Sequence, residues 1–151
     1  MVKNMKKHKE SDNKDFFDKI QESLDREMEK YYSKKTIRYF KNPVHFGRLE
    51  DANGKAEMKG GCGDIMEMSL NIKDEIIREI KFYTDGCGVT VACGSAVAEL
   101  VKGKTLAYAL KISPDFLMNE LDGVPRDSIH CTILSVCTMH KAIADYLLKT
   151  E

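Results

Sequence analysis

The sequence has no surplus charge of either sign, since 24 Lys+Arg balance 24 Asp+Glu for a net charge of +0. Nothing in that balance calls for nucleic acid or an anionic membrane as partner, so partners must be sought at a site. Long apolar runs are missing too: none approaches the roughly 18 residues that a membrane span requires. The basic start MVKNMKKHKESDNK leads into no apolar stretch of the kind a signal peptide carries. Internal repeats, low-complexity tracts and an interdomain linker are all absent. A disulfide framework is absent as well, because the cysteines are odd in number and scattered: Cys62, Cys87, Cys93, Cys131 and Cys137. These absences describe a soluble, cytoplasmic chain whose thiols bind metal, act chemically or simply pack. At 151 residues it is long enough to build one core without staples.

The chain divides by pattern. Residues 1–12 are polar and aperiodic, and an unstructured start is expected there. From 13 to 31 the residues Phe16, Phe17, Ile20, Leu24, Met28 and Tyr31 recur at three- and four-residue steps, giving a helical N-terminal extension with one apolar stripe. The same period runs on through Ile37 and Phe40 until Asn42-Pro43 stops it. The stretch Glu50 to Asp64, with its Asn-Gly and Gly-Gly pairs, reads as a mobile loop. Met66, Met68, Leu70 and Ile72 then alternate with polar residues, and a second strand spans 76–83 after a turn at Lys73-Asp74. A small, apolar helix follows Cys87, and a short one covers 105–112. Ser113-Pro114 starts another, and a long C-terminal helix is capped by Asp127 or Ser128. The expected fold class is α+β: a small antiparallel β-sheet of about three strands packed against helices.

Three cysteines share a setting that two lack. Cys62 in GGCGD, Cys87 in DGCGV and Cys131 in SIHCT all stand at the ends of elements. Flanking glycines leave Cys62 and Cys87 without neighbouring side chains, so a metal, a cluster or another thiol can come close. Cys131, in the first turn of a helix, is expected to have a lowered pKa and to be a ready thiolate. Asp64 and His130 stand beside these thiols, and sulfur, nitrogen and oxygen donors together suit zinc or an iron–sulfur cluster. Three thiolates with one carboxylate would make a labile site, suited to handing a cluster on. Against this stands the ordinary reading of a cysteine as a buried hydrophobe. Cys93 and Cys137 fit that reading, each lying inside an apolar helical pattern. For His8, His45 and His140 a surface or capping role is expected.

The strings YSKKTIRYFKNPVHFGRLEDANG, GGCGD, FYTDGCGVTVACGSAVAELVKGKT and IHCTIL…AIADYLLK resemble, in order and spacing, the IscU family of iron–sulfur cluster assembly scaffolds and the N-terminal domain of NifU. The resemblance runs over 32–151. It implies a scaffold rather than an enzyme, one that receives sulfur from a cysteine desulfurase, takes iron, and builds a transient [2Fe-2S] cluster for apo iron–sulfur proteins or carriers. It also implies Cys62, Asp64, Cys87 and Cys131 as cluster ligands, His130 as a further metal ligand, and Cys131 as the persulfide acceptor. A ferredoxin-type electron donor and zinc in a purified sample belong to the same set of implications.

The chain also departs from the pattern. Where the family has Leu-Pro-Pro-x-Lys before the His-Cys, this chain has Val124 to Ser128, with Arg126 for the second proline and Ser128 for the lysine. An Hsp70-type chaperone is therefore not carried over. The leader ahead of Tyr32 is longer than usual, and its stripe either packs on the domain or mediates self-association. The zinc-type, SufU-like relatives carry an insertion between the second and third cysteines that is missing here, which favours the cluster scaffold. The alternatives are a zinc-bound sulfurtransferase that stimulates a desulfurase, and a binding module with a structural metal.

Overall fold

A computed structural model describes residues 2–150, with side chains from residue 11 onward. The chain forms two compact units, residues 1–32 and 33–151. The first consists of one helix, α1 (Val2–Glu29). It begins ahead of the residue 13 expected, so 2–12 are helical rather than unstructured. No glycine or proline interrupts this Lys-, Glu- and Met-rich stretch, and those residue types favour helix. Its exposed pairs Asp15–Lys19 (3.4 Å) and Glu22–Arg26 (3.9 Å) are spaced i,i+4. Phe16, Phe17, Ile20 and Leu24 form the apolar stripe, and all four are exposed.

The helical period does not run on unbroken to Phe40. Ser33 takes an extended conformation, and its Oγ accepts the N–H of Thr36 at 3.0 Å, which caps a new helix, α2 (Lys34–Lys41). The serine hydroxyl competes with the backbone for helical hydrogen bonds and so favours a fresh start at this point. Ser33 Oγ also donates to the carbonyl of Leu121 and fixes α2 to the body of its unit.

Three strands make one antiparallel sheet in the order β1-β2-β3: β1 (Gly54–Lys59), β2 (Ile65–Lys73) and β3 (Ile76–Thr84). β1 lies inside the stretch expected to be a loop. Its residues Gly54, Ala56 and Met58 point inward while Lys55, Glu57 and Lys59 point out, a period-2 pattern that the neighbouring glycines obscure. The turn between β2 and β3 is made by Asp74 (φ 55) and Glu75 (φ 62), both left-handed, as a two-residue hairpin requires.

One face of the sheet carries Met66, Met68, Leu70, Ile80 and Phe82, each at most 1% exposed. The helices α3 (Gly88–Val101) and α6 (Ile129–Lys149) contact the sheet, α3 through β3 and α6 through β1 and β2. The fit is close. A Cβ on Gly94 would stand 2.5 Å from the Phe82 ring, and one on Gly54 would stand 2.7 Å from the Ala142 carbonyl oxygen. Between these long helices lie α4 (Leu106–Leu110), α5 (Pro114–Glu120) and a 3-10 turn at Arg126–Ser128. Ser113 caps α5 with Pro114 at its first position, as the sequence indicates.

Both sheet edges carry added hydrogen bonds. Beside β3, His45 accepts from Phe82 N–H (2.9 Å) and Gly47 donates to Phe82 O (2.8 Å). On the β1 edge, the Lys55 N–H donates to the Asp145 carboxylate at 3.0 Å. Among the described residues no helix is long and apolar enough to cross a membrane.

Candidate metal and sulfur site

The site lies where the β1–β2 loop, the end of β3 and the starts of α3 and α6 meet. Loop residues 60–64 close on themselves, with Asp64 O accepting from Gly60 N–H (2.8 Å) and Gly60 O from Gly63 N–H (3.0 Å). Gly63 has φ 91, a left-handed conformation that explains the glycine between Cys62 and Asp64. Added Cβ atoms at Gly61 and Gly63 would meet nothing, so Cys62 stands free at the loop tip. β3 then ends against the start of β2. Thr84 Oγ1 donates to Ile65 O (2.6 Å) and Asp85 Oδ1 accepts from Ile65 N–H (2.8 Å), which brings Asp64 beside Cys87.

Around Cys87 the glycines do a different job from the one expected. The space beside them is filled: a Cβ on Gly86 would lie 2.7 Å from Asp64 Oδ2, and one on Gly88 would lie 2.3 Å from the Phe40 ring. These two glycines admit a carboxylate and an aromatic ring against the backbone. Cys87 itself is exposed and forms the N-cap of α3.

At the centre stands Thr90, fully buried, which the sequence reading passed over. Its Oγ1 donates to Asp64 Oδ2 at 3.1 Å and lies 3.3 Å from Cys131 Sγ and 3.6 Å from Cys87 Sγ. The available signal was positional, since Thr90 is the third residue after a cysteine cap and so faces the cap. His130 Nε2 lies 3.6 Å from Cys131 Sγ, and its ring is on the exposed side. Among the described residues no group of three His, Cys, Asp or Glu side chains is drawn together as around a bound ion. Asp64, Cys87 and Cys131 are gathered by a hydroxyl instead, with Cys62 on the glycine loop nearby.

The two helix-start thiols are shifted in opposite directions. Burial opposes ionisation of Cys87, but the N–H and hydroxyl of Thr90 and the N–H of Val89 outweigh it and hold the thiol below its usual pKa. Cys131 is 2% exposed, and burial pushes it up to about 11, against a lowering contribution from the Thr90 hydroxyl. The expectation of a low-pKa Cys131 is thus corrected: in α6 the sulfur is turned into the protein, where the charged form loses its water.

The remaining residues fall out plainly. Cys93 is fully buried, and burial raises its pKa, in keeping with a core role. Cys137 is only half-buried rather than a core residue. His45 pairs with Glu99 at 2.7 Å, and His140 Nε2 meets Ala109 O at 3.1 Å. The His8 side chain lies outside the described residues.

The model of the NifU-like N-terminal domain matches residues 31–151. The chain belongs to the NifU-like N-terminal domain family. Its relatives include the iron–sulfur cluster assembly scaffold protein IscU of Aquifex aeolicus, 41% identical over 121 residues, which cover 78% of this chain and 77% of the relative. The Escherichia coli K12 protein of the same name is 40% identical over 125 residues, covering 80% of this chain and 97% of its own length. In fold, this NifU-like chain is similar to the N-terminal NifU-like protein from Brucella abortus, with a TM-score of 0.64 at 20% identity, over 78% of this chain and 94% of that one. The α+β architecture, with its three-stranded antiparallel sheet and long C-terminal helix, is the NifU-like fold.

Proposed function

We propose that this chain is a scaffold on which an iron–sulfur cluster is assembled and then passed on. The observation that carries the reading is the gathering of Asp64, Cys87 and Cys131 about one buried hydroxyl, beside Cys62 on a glycine loop, in a chain whose relatives are named as such scaffolds. Three soft sulfur donors and one hard oxygen suit iron, and the carboxylate is the donor most readily given up.

In this reading sulfur comes from a cysteine desulfurase. The Cys131 thiolate attacks the terminal sulfur of the desulfurase persulfide, the sulfur–sulfur bond of that persulfide breaks, and the desulfurase thiolate leaves. Cys131 then carries the persulfide. Two electrons from a ferredoxin-type donor reduce it to sulfide and restore the Cys131 thiolate, and the two sulfides from two such rounds, with two iron ions, make up a [2Fe-2S] cluster held by Cys62, Asp64, Cys87 and Cys131. Burial of Cys131 requires the site to open before sulfur can arrive, and the glycine loop bearing Cys62 is the part built to move. His130, beside Cys131, stands in when a ligand is exchanged. Recipients are apo iron–sulfur proteins or carriers, and the setting is the cytoplasm.

Anaerobic reconstitution with a desulfurase, cysteine and ferrous iron tests this by visible absorption. Cys62→Ser, Cys87→Ser and Cys131→Ser should each lower cluster formation, and equal formation in all three would overturn the ligand set. Asp64→Ala should hold its cluster longer when an apo-ferredoxin is offered. Zinc alone in protein purified without oxygen, with a stimulated desulfurase and no colour on reconstitution, would replace the scaffold by a zinc-bound sulfurtransferase.

A further inference from the structure

Among the described residues, Thr90 is the one buried polar side chain that reaches three of the four proposed ligands. A threonine hydroxyl has one proton to give and two lone pairs with which to accept. The carboxylate of Asp64 can only accept, so Thr90 Oγ1 donates to Asp64 Oδ2 at 3.1 Å, and the same oxygen lies 3.3 Å from Cys131 Sγ. That leaves Oδ1 of Asp64 without a share in this bond. Gly86 provides a second and independent sign that the inward carboxylate is built in, because any Cβ there would collide with Asp64 Oδ2 at 2.7 Å and with Thr90 Cβ at 2.9 Å. Backbone space has been left open so that Asp64 and Thr90 can meet.

We propose that Thr90 is a positioning residue: its hydroxyl anchors one carboxylate oxygen of Asp64 and turns the other toward the sulfurs of Cys87 and Cys131, so that an incoming metal ion meets an oriented oxygen ligand. This rests on the ligand set proposed above and assigns it a residue that touches no metal itself. Groups that orient a metal ligand in this way typically change metal affinity by about 10–100-fold when removed. Threonine and valine have nearly the same shape, so Thr90→Val removes the hydroxyl with little change in volume.

The test is zinc affinity of the full chain, free of sulfur chemistry, by competition with a colorimetric chelator. Thr90→Val should weaken zinc by about tenfold or more. Thr90→Ser, which keeps the hydroxyl, should stay within about threefold of the parent. In an Asp64→Ala background Thr90→Val should have no further effect, because the anchored group is gone; a packing defect would add its cost in both backgrounds. Gly86→Ala, which pushes Asp64 outward, should reproduce the loss while Thr90 is intact. Equal affinity of Thr90→Val and the parent, or an equal loss with and without Asp64, overturns the assignment of Thr90 alone. Zinc binding that none of the three cysteine-to-serine changes weakens overturns the ligand set beneath it.

Discussion

The starts of α3 and α6 each carry a cysteine, and the two have opposite characters. Cys87 sits at the cap itself, exposed and without a side-chain cap hydrogen bond, yet the neighbouring Thr90 and the N–H of Val89 hold its thiol below the usual pKa. Cys131 sits two residues inside α6, with its sulfur facing the interior, where the Thr90 hydroxyl lies at 3.3 Å and His130 Nε2 at 3.6 Å. Closeness to a helix N-terminus does not by itself make a thiolate. The sulfur has to occupy the cap, beside the helix's free N–H groups, and retain enough water that burial does not cancel their effect.

Chemical labelling gives the widest separation between the two. Against an ordinary thiol at 9.0, a Cys131 pKa of about 11 lowers the thiolate fraction by about 100-fold, and the higher intrinsic reactivity of the more basic thiolate returns about tenfold. In metal-free protein near pH 8, Cys87 should therefore alkylate at least about tenfold faster than Cys131, as read by peptide mass mapping. Equal rates would show that α6 opens freely and would erase the contrast.

The first residues of the two helices differ in packing. Gly88 of α3 lies against Phe40, whereas Ile129 of α6 is 36% exposed. Gly88→Ala should destabilise by about 1–3 kcal/mol through overpacking, and Ile129→Ala should cost well under that in denaturant unfolding.

The pH dependence of stability should carry opposite signs at the two positions. Cys131 has a folded pKa of about 11 against 9.0 unfolded, so the stability it contributes is present below pH 9 and lost as pH rises toward 11. Cys93, also raised by burial, acts in the same direction. Cys87 is lowered, so its contribution is present above pH 9 and lost as pH falls through its folded pKa. Cys131→Ser should flatten the alkaline decline of the unfolding midpoint, and Cys87→Ser should steepen it. Metal binding should release a proton from Cys131 and tighten as pH rises over the neutral range.

The smallest effects concern caps. Ser128 begins α6 without a side-chain cap bond, while Ser113 accepts the Phe116 N–H at 3.1 Å. Ser113→Ala should cost about 1 kcal/mol, and Ser128→Ala should stay within about 0.5 kcal/mol.

Much of this was legible in the residue pattern, and the exceptions have physical causes. β2 announced itself because Met66, Met68, Leu70 and Ile72 face a fully dry core. β1 did not, because its inward residues are Gly54, Ala56 and Met58, small or flexible groups under α6 that leave only a faint alternation among glycines and charges. The break at Ser33 was missed because the apolar period of α1 and α2 passes through it with little change of phase. The motifs picked out Cys62, Asp64, Cys87, His130 and Cys131, but nothing in the local sequence told Cys87 from Cys131. That distinction depends on which way each sulfur turns, which is set by packing of residues far apart in the chain. Thr90 offered only its place three residues after the Cys87 cap, because its partners Asp64 and Cys131 come from distant parts of the chain.

The Asp145 carboxylate on the Lys55 N–H has a consequence beyond the strand it touches. β1 is a terminal strand of the sheet, and a terminal strand with open N–H groups is a template on which another chain can add its own. With its outward amide held by a side chain of the covering helix, and Lys55, Glu57 and Lys59 pointing to solvent, β1 offers a charged, partly occupied border that resists strand addition and the aggregation that would follow.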